Sequence, residues 1–369
     1  MKILLLGEYS NVHATLAEGL RALGHKVTVA SNGDYWKNYP RDISLKRWRG
    51  RLGGPLLLAK IYALLPLLRG YDVVQLINPM FVDLKAERLF PIYKYLRRHN
   101  GRMFLGGFGM DWYWVDCCIR RRHLRYSDFN IGDTLRTNAD AMKERADWQG
   151  TDKEILNRVI ANNCDGIITG LYEYWSCYAP LFPDNTFFVP FPIKAESTER
   201  ATEPAHTGPV KVFIGINKAR SEYKGTDIML RAALDVMRDH PGKMELVRAE
   251  SVPFARYRKM MDGCDAILDQ LYSYTPAMNA LLAMSKGIIN IGGGEEENYR
   301  IINEDTLRPI INVEPSYSSV YDKLVWLITH PEVIPELKRQ SVEYVRKHHD
   351  YIKVAREYEK IYKEKAGNA

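Results

Sequence analysis

The sequence predicts an α/β protein of two open parallel sheets in tandem, two domains facing each other across a cleft. Three observations carry this expectation. Short apolar runs alternate with helical periodicities through both halves of the 369 residues. Glycines stand directly behind the first apolar run, behind the first helix and behind a central run. A polar stretch without periodicity, from Lys194 to Pro209, separates the two alternating blocks. With 46% hydrophobic residues, the chain is rich enough to fill two cores of ordinary size.

The first block opens with a strand at 2–6, which runs through Gly7-Glu8-Tyr9-Ser10-Asn11 into a helix over 12–23. Gly24 ends that helix and 26–30 is the next strand, a unit that implies a right-handed parallel crossover. Further strands follow at 73–77, 102–106 and 166–169, and 187–189 closes the block. Helices are expected at 55–68, 85–98 and 152–162. The second block has strands at 210–214, 244–248, 266–268, 288–291 and 310–312, with helices over 225–237, 254–262 and 276–285. Residues 318–362 read as helical. Domain limits follow at 1–194, a linker at 195–209, and 210–345, leaving 346–369 as a terminal helix.

Composition narrows the function classes. A net charge of +7 suits an anionic ligand or membrane surface and is too small to indicate nucleic acid. The five cysteines (Cys117, Cys118, Cys164, Cys177, Cys264) show no paired metal spacing, which fits a reducing, cytoplasmic compartment. Residues 1–6 lead straight into a glycine turn, as a strand does and a signal peptide does not. The longest apolar run, 55–68, is interrupted by Lys60 and falls short of the ~20 residues a membrane span needs.

Ligands of open parallel sheets bind outside the carboxyl ends of the strands, so the loops there are the candidate chemistry. At Gly7 to His13, Ser10 or Asn11 is placed to cap the following helix, and its amides suit a phosphate or a sugar hydroxyl. His13 either points into the cleft or stands exposed on the first turn. At Gly106 to Trp112, Asp111 either binds an acceptor hydroxyl or caps a tight turn. The loop 217–225 carries Lys218, Arg220 and Lys224 ahead of a helix, an arrangement suited to a diphosphate. At 272–297, Tyr274, Thr275, Asn279 and Glu295 lie around a helix and a triple glycine, Gly292 to Gly294, expected to be mobile backbone.

These segments together resemble the retaining glycosyltransferases of the GT-B fold, in the group-1 or family-4 class, built of two Rossmann-like domains. The similar segments are Leu-Arg-Ala-Leu-Gly-His-Lys-Val-Thr-Val (20–29), Tyr-Lys-Gly-Thr-Asp-Ile-Met-Leu-Arg-Ala-Ala (223–233) and Leu-Ala-Met-Ser-Lys-Gly-Ile-Ile-Asn-Ile-Gly-Gly-Gly (282–294). A last helix ending at Ile361-Tyr362 is similar to the one that crosses back to the N-terminal domain in that class. The resemblance implies that Lys224, with Arg220 or Lys218, holds the diphosphate of a nucleotide-sugar donor, with the Gly7 loop facing donor and acceptor. It implies sugar transfer with retention to a glycan or lipid-linked glycan hydroxyl, with Asp111 and His13 as the catalytic candidates and Tyr274, Thr275, Asn279 and Glu295 around the sugar and nucleotide. The class carries two glutamates eight positions apart where this chain has Tyr274 and Leu282. A non-catalytic nucleotide-sugar-binding protein of the same fold is therefore the alternative. Without an Asp-x-Asp motif, neither metal nor other cofactor is expected. Arg41 to Leu68, with Arg41, Lys46, Arg47, Arg49 and Arg51 around Trp48 ahead of the apolar run, reads either as a peripheral contact with the inner membrane face or as a solvated loop and a core helix.

Overall fold

The computed structural model describes residues 1–195, 206–217 and 220–367. Residues 196–205 of the expected linker, and Lys218, lie outside the described residues. The chain divides into two compact units: Met1–Arg120 with Glu144–Pro192 and Tyr351–Ala369, and Arg121–Lys143 with Ile193–Asp350.

The first unit holds a parallel sheet of β1 (Lys2–Leu6), β2 (Lys26–Ser31), β3 (Ile43–Ser44), β4 (Val73–Leu76), β5 (Arg102–Gly107), β8 (Gly166–Thr169) and β9 (Thr186–Phe188). The strand order is β3-β2-β1-β4-β5-β8-β9. Ile3 pairs with Val27 on one side and Val73 on the other, so β1 lies between its crossover partners. Strands β4 and β8 are buried throughout, as a sheet covered on both faces requires. The C-terminal helix Tyr351–Gly367 belongs to this unit. Gly19 opens the helix Val12–Ala22 to it, since a Cβ there would strike the carbonyl oxygen of Tyr351. Tyr362 packs on Phe104 at 4.8 Å between ring centres and donates its hydroxyl to Gln75 Oε1 at 3.2 Å.

The second unit is built on β10 (Val210–Ile216), β11 (Met244–Glu250), β12 (Ala266–Leu268), β13 (Ile289–Gly292) and β14 (Ile311–Asn312), all parallel, in the order β11-β10-β12-β13-β14. Alternate residues divide its core. Val212, Ile214, Leu268, Ile289 and Ile291 meet the helices Thr226–Asp239 and Tyr317–Thr329, while Phe213 and Ile267 pack with Met261, Ala283 and Ile288 on the other face. In each sheet the first strand of the unit, β1 or β10, has its later strands on both sides. That reversal is the topological switch point where ligands of such sheets bind.

One limit differs from the sequence reading, and one stretch read as helical resolves into separate helices. Residues 121–143, read there as part of the N-terminal domain, group with the second unit, where β6 (Asn130–Ile131) and β7 (Thr134–Leu135) form an antiparallel hairpin. Strands of two residues leave no periodicity to read. The 318–362 stretch divides into three helices, Tyr317–Thr329, Ile334–His348 and Tyr351–Gly367, broken at Pro331 and Asp350.

Candidate functional site

In the first unit the loop after β1 turns at Gly7, whose φ of +90° and contact with Ile77 exclude a side chain. Neither Ser10 nor Asn11 caps the next helix: Asn11 occupies the N-cap in a left-handed conformation and its side chain makes no cap bond. Glu8 does the capping. Its carboxylate accepts from the His13 amide at 3.3 Å and the Ala14 amide at 2.8 Å. A carboxylate thus fills the place that a phosphate was expected to take at this helix start. Burial pushes the Glu8 carboxyl up to about 8, against the amide bonds that favour its charged form. Asp34 closes the other side, accepting from the Ser10 amide at 2.9 Å and from Lys37 at 2.6 Å.

His13 is not exposed. It is fully buried, with Nδ1 2.8 Å from the Gly7 carbonyl oxygen, and burial drives its pKa down to about 3. It is a neutral ring that ties helix to turn. Asp111 is likewise fully buried. Its carboxylate caps the helix Trp112–Asp116 through the Trp114 amide at 2.8 Å and accepts the Tyr178 hydroxyl at 2.6 Å. Asn157 extends the network, accepting from the Trp112 amide at 2.9 Å. Burial raises Asp111 to about 7 while these donors pull the other way. Of the two expectations for Asp111, the geometry fits the cap, which leaves no open face for an acceptor hydroxyl.

In the second unit Gly225, at φ +72°, ends the short helix Ser221–Lys224 and begins the helix Thr226–Asp239. A Cβ there would press on Leu271. Arg220 is exposed, its guanidinium 4.6 Å from the Tyr223 ring centre. Lys224 faces Asp269, whose pKa burial raises and the Lys224 charge lowers; Asp269 also accepts from Asn279 Nδ2 at 2.8 Å. The Lys224 charge and the Asn279 amide thus both act on one buried carboxylate. Thr275 is buried, and its carbonyl accepts the Ser273 hydroxyl at 2.5 Å. The triple glycine lies in close packing. All three residues are buried, because a side chain at Gly293 would strike Ser273 and one at Gly294 would strike Ile310.

Tyr274 and Glu295 meet through groups that the sequence did not indicate. The Glu295 amide donates to the Tyr274 carbonyl at 3.1 Å. The Glu295 carboxylate accepts from Tyr126 Oη at 2.7 Å, Asn312 Nδ2 at 3.0 Å and Arg125 Nη2 at 2.8 Å. Arg125 also pairs with Glu297 and lies 5.1 Å from the Tyr274 ring centre, and Tyr126 stacks on Tyr274 at 4.6 Å. Arg136 stacks on Tyr272 at 3.7 Å and donates to the carbonyls of Glu222 at 2.6 Å and Tyr223 at 3.2 Å. The 121–143 segment thus touches the loops behind β10, β12 and β13 at their carboxyl ends. Sequence reasoning missed Glu8, Arg125, Tyr126 and Arg136; for the last three, partners 86 to 172 residues apart have no local signature.

No family model matches the sequence, nor does any curated protein. Solved structures do. Sucrose-phosphate synthase from Thermosynechococcus elongatus aligns over 100% of both chains at 12% identity and a TM-score of 0.64. The catalytic domain of starch synthase IV from Arabidopsis thaliana, bound to ADP and acarbose, aligns over 100% of both at 11% and 0.58. HepE of Anabaena in complex with UDP aligns over 98% of this chain and 99% of its own at 11% and 0.55. With two sheets of this topology and that likeness over the whole chain, the protein has the GT-B fold of glycosyltransferases, built of two Rossmann-like domains.

Proposed function

We propose that the protein is a glycosyltransferase that moves a sugar from a nucleoside-diphosphate sugar to an acceptor hydroxyl, with retention and without a metal. The observation that carries this reading is the carboxyl edge of the second sheet at its β10/β12 switch point, where Arg220 and Lys224 lie on the loop behind β10. The second unit takes the donor in this reading and the first the acceptor, a glycan or lipid-linked glycan. Arg220 and Lys224 stabilise the diphosphate as charge builds on it, and Lys218 is proposed with them. Solved structures of the same fold hold UDP or ADP.

The test is a thermal-shift screen against UDP-, GDP-, ADP- and CMP-sugars beside a Lys224→Ala, Arg220→Ala double variant. Saturable stabilisation by one nucleotide, weakened about a hundredfold in the variant, supports the reading. No stabilisation by any donor removes it. A second reading, a binding protein without turnover, is favoured by the buried Asp111 and His13 and by Tyr274 and Leu282 at the glutamate positions. Release of free sugar and nucleoside diphosphate over hours, measured by chromatography, separates the two.

Membrane contact and a cytoplasmic place on the inner membrane face belong to the same proposal. The helix Gly53–Leu64 buries only Gly53, Leu57 and Ile61, which is far less than a core helix of its composition would. Trp48 is 74% exposed and Leu52 71%, with Leu56, Tyr62 and Leu67 open beside them and Arg47 and Arg49 nearby. Among the described residues no helix is long and apolar enough to cross a membrane. Flotation with anionic vesicles tests the contact: Trp48→Ala with Leu52→Ala is expected to lower binding about tenfold. Equal flotation with neutral vesicles, or none, argues against it.

A further inference from the structure

The hairpin segment occupies the place that the proposed function reserves for a ligand. Its turn is built by its own residues. Asn130 donates to the carbonyls of Leu124 and Gly132, each at 3.0 Å, and the Arg136 amide donates to the Phe129 carbonyl at 2.8 Å. The segment therefore meets the sheet edge as a formed piece, and its two contacts there differ in kind. Arg136 lies in the β10/β12 crevice, between the Glu222 and Tyr223 carbonyls and the Tyr272 ring, while Tyr223 Oη donates to Asp128 at 2.6 Å. Those partners are backbone and ring, which a ligand does not replace.

Arg125 is held by ion pairs and by the Tyr274 ring at an exposed position. Its side chain is 54% exposed, and its partners Glu295 and Glu297 sit on the loop behind β13. Two carboxylates at an edge that must receive a diphosphate would repel it unless a cation stood between. The Lys224 charge already acts on the Asp269 carboxylate. An incoming diphosphate offers Arg125 a pair of anionic oxygens in the fork geometry that guanidinium prefers.

We propose, on the reading of this edge as the nucleotide-sugar site, that residues 121–143 form a cationic strap in which Arg136 is the anchor and Arg125 exchanges Glu295 and Glu297 for the diphosphate of the ligand. Arg125 is then a positioning and binding residue of the donor site contributed by the N-terminal half of the sequence. It stands where the related pattern has a glutamate and this chain has Tyr274, on whose ring it lies.

The experiment is isothermal titration of the full chain with UDP, GDP and ADP and with the matching nucleosides, for wild type, Arg125→Ala, Arg125→Lys and Glu297→Gln, joined to amide exchange over 121–143 with and without nucleotide. Arg125→Ala is expected to weaken nucleoside diphosphate binding about tenfold and leave the nucleoside unchanged, with Arg125→Lys between. Glu297→Gln frees Arg125 and is expected to tighten the diphosphate a few-fold, and exchange over 124–136 changes when the diphosphate binds. A merely structural ion pair would move Arg125→Ala and Glu297→Gln in the same direction, which overturns the strap, as does equal loss for nucleoside and diphosphate. Wild-type binding that ignores Arg125 overturns the strap alone. Wild-type protein that binds no nucleotide overturns the donor reading, and the strap with it.

Discussion

The loop behind β1 and the loops behind β10, β12 and β13 follow strands of two open parallel sheets, yet their chemistry differs. Behind β1 the protein supplies the hydrogen-bond acceptors itself: Glu8, held largely protonated by burial, caps the helix, Asp34 braces the turn, and Asp111 is sealed beneath Tyr178. Behind β10 and β13 the carboxylates are answered by exposed or half-buried cations, with Arg125 on Glu295 and Glu297, and Lys224 on Asp269. A Rossmann-like edge is thus not an anion site by topology alone. Whichever polar groups the chain places at the helix starts decide what is left for a ligand: behind β1 Lys37 is tied to Asp34 and 22% exposed, while behind β13 Arg125 is 54% exposed.

The largest effect that would sharpen this contrast is at Asp111. Removing the carboxylate leaves the Tyr178 hydroxyl and the Trp114 amide buried without their acceptor, so Asp111→Ala is expected to cost about 3 kcal/mol in urea unfolding, and Asp111→Asn about 1 kcal/mol. Full stability with lost turnover would instead mark it as catalytic. Next come the paired glycines. Gly7→Ala and Gly225→Ala each force a side chain to positive φ against a neighbour, and each is expected to cost about 2 kcal/mol. Only Gly225→Ala should also weaken nucleotide binding, because Leu271 is tied to Lys224 through its amide at 3.1 Å. Loss of nucleotide affinity in both would erase the distinction between the edges.

How far the sequence discloses these edges depends on how local the contacts are. The strand β1 is buried along most of its length and so reads as a continuous apolar run, and Gly7 marks its turn. Asp111 as a cap is legible because its partner is three residues away. Glu8 is harder, since it caps from five and six residues upstream and no short cap pattern describes that reach. The β6–β7 hairpin and Arg125 are not legible at all: their partners lie in the other half of the chain, and strands of two residues carry no alternation. The triple glycine was misread for a related reason. Its meaning lies in the approach of Ser273 and Ile310, not in freedom of its own backbone.

Glu8 gives the third effect, through pH. Its carboxyl is raised in the folded protein to about 8, so the folded state holds a proton there that the unfolded chain has released. Stability from this group is complete below the unfolded value near 4.5 and is lost as pH rises through about 8. Asp111 acts in the same sense but finishes near 7, and His13, lowered to about 3, works oppositely at acid pH. Between pH 7 and 8 the decline therefore belongs mainly to Glu8, at about 1 kcal/mol per pH unit. Glu8→Gln is expected to flatten that segment of a urea-unfolding series. A decline that persists in the variant would mean that the cap is ionised and the first edge less closed than its burial implies.

The smallest effect lies at the strapped edge. Tyr126→Phe removes the hydroxyl that donates to Glu295 at 2.7 Å but keeps the ring stacked on Tyr274. Glu295 still has Arg125 and Asn312, and its side chain is 15% exposed, so water can take the vacated place. The expected cost is about 0.5 kcal/mol, a shift of roughly 1–2 °C in thermal midpoint. Nothing comparable is open to Asp111, which is wholly enclosed. A loss in Tyr126→Phe above about 2 kcal/mol would show that the second edge is as tightly sealed as the first, because only a buried carboxylate without access to water pays so much for one donor. The difference in cost between these two carboxylates then measures how much of each edge remains available to a ligand.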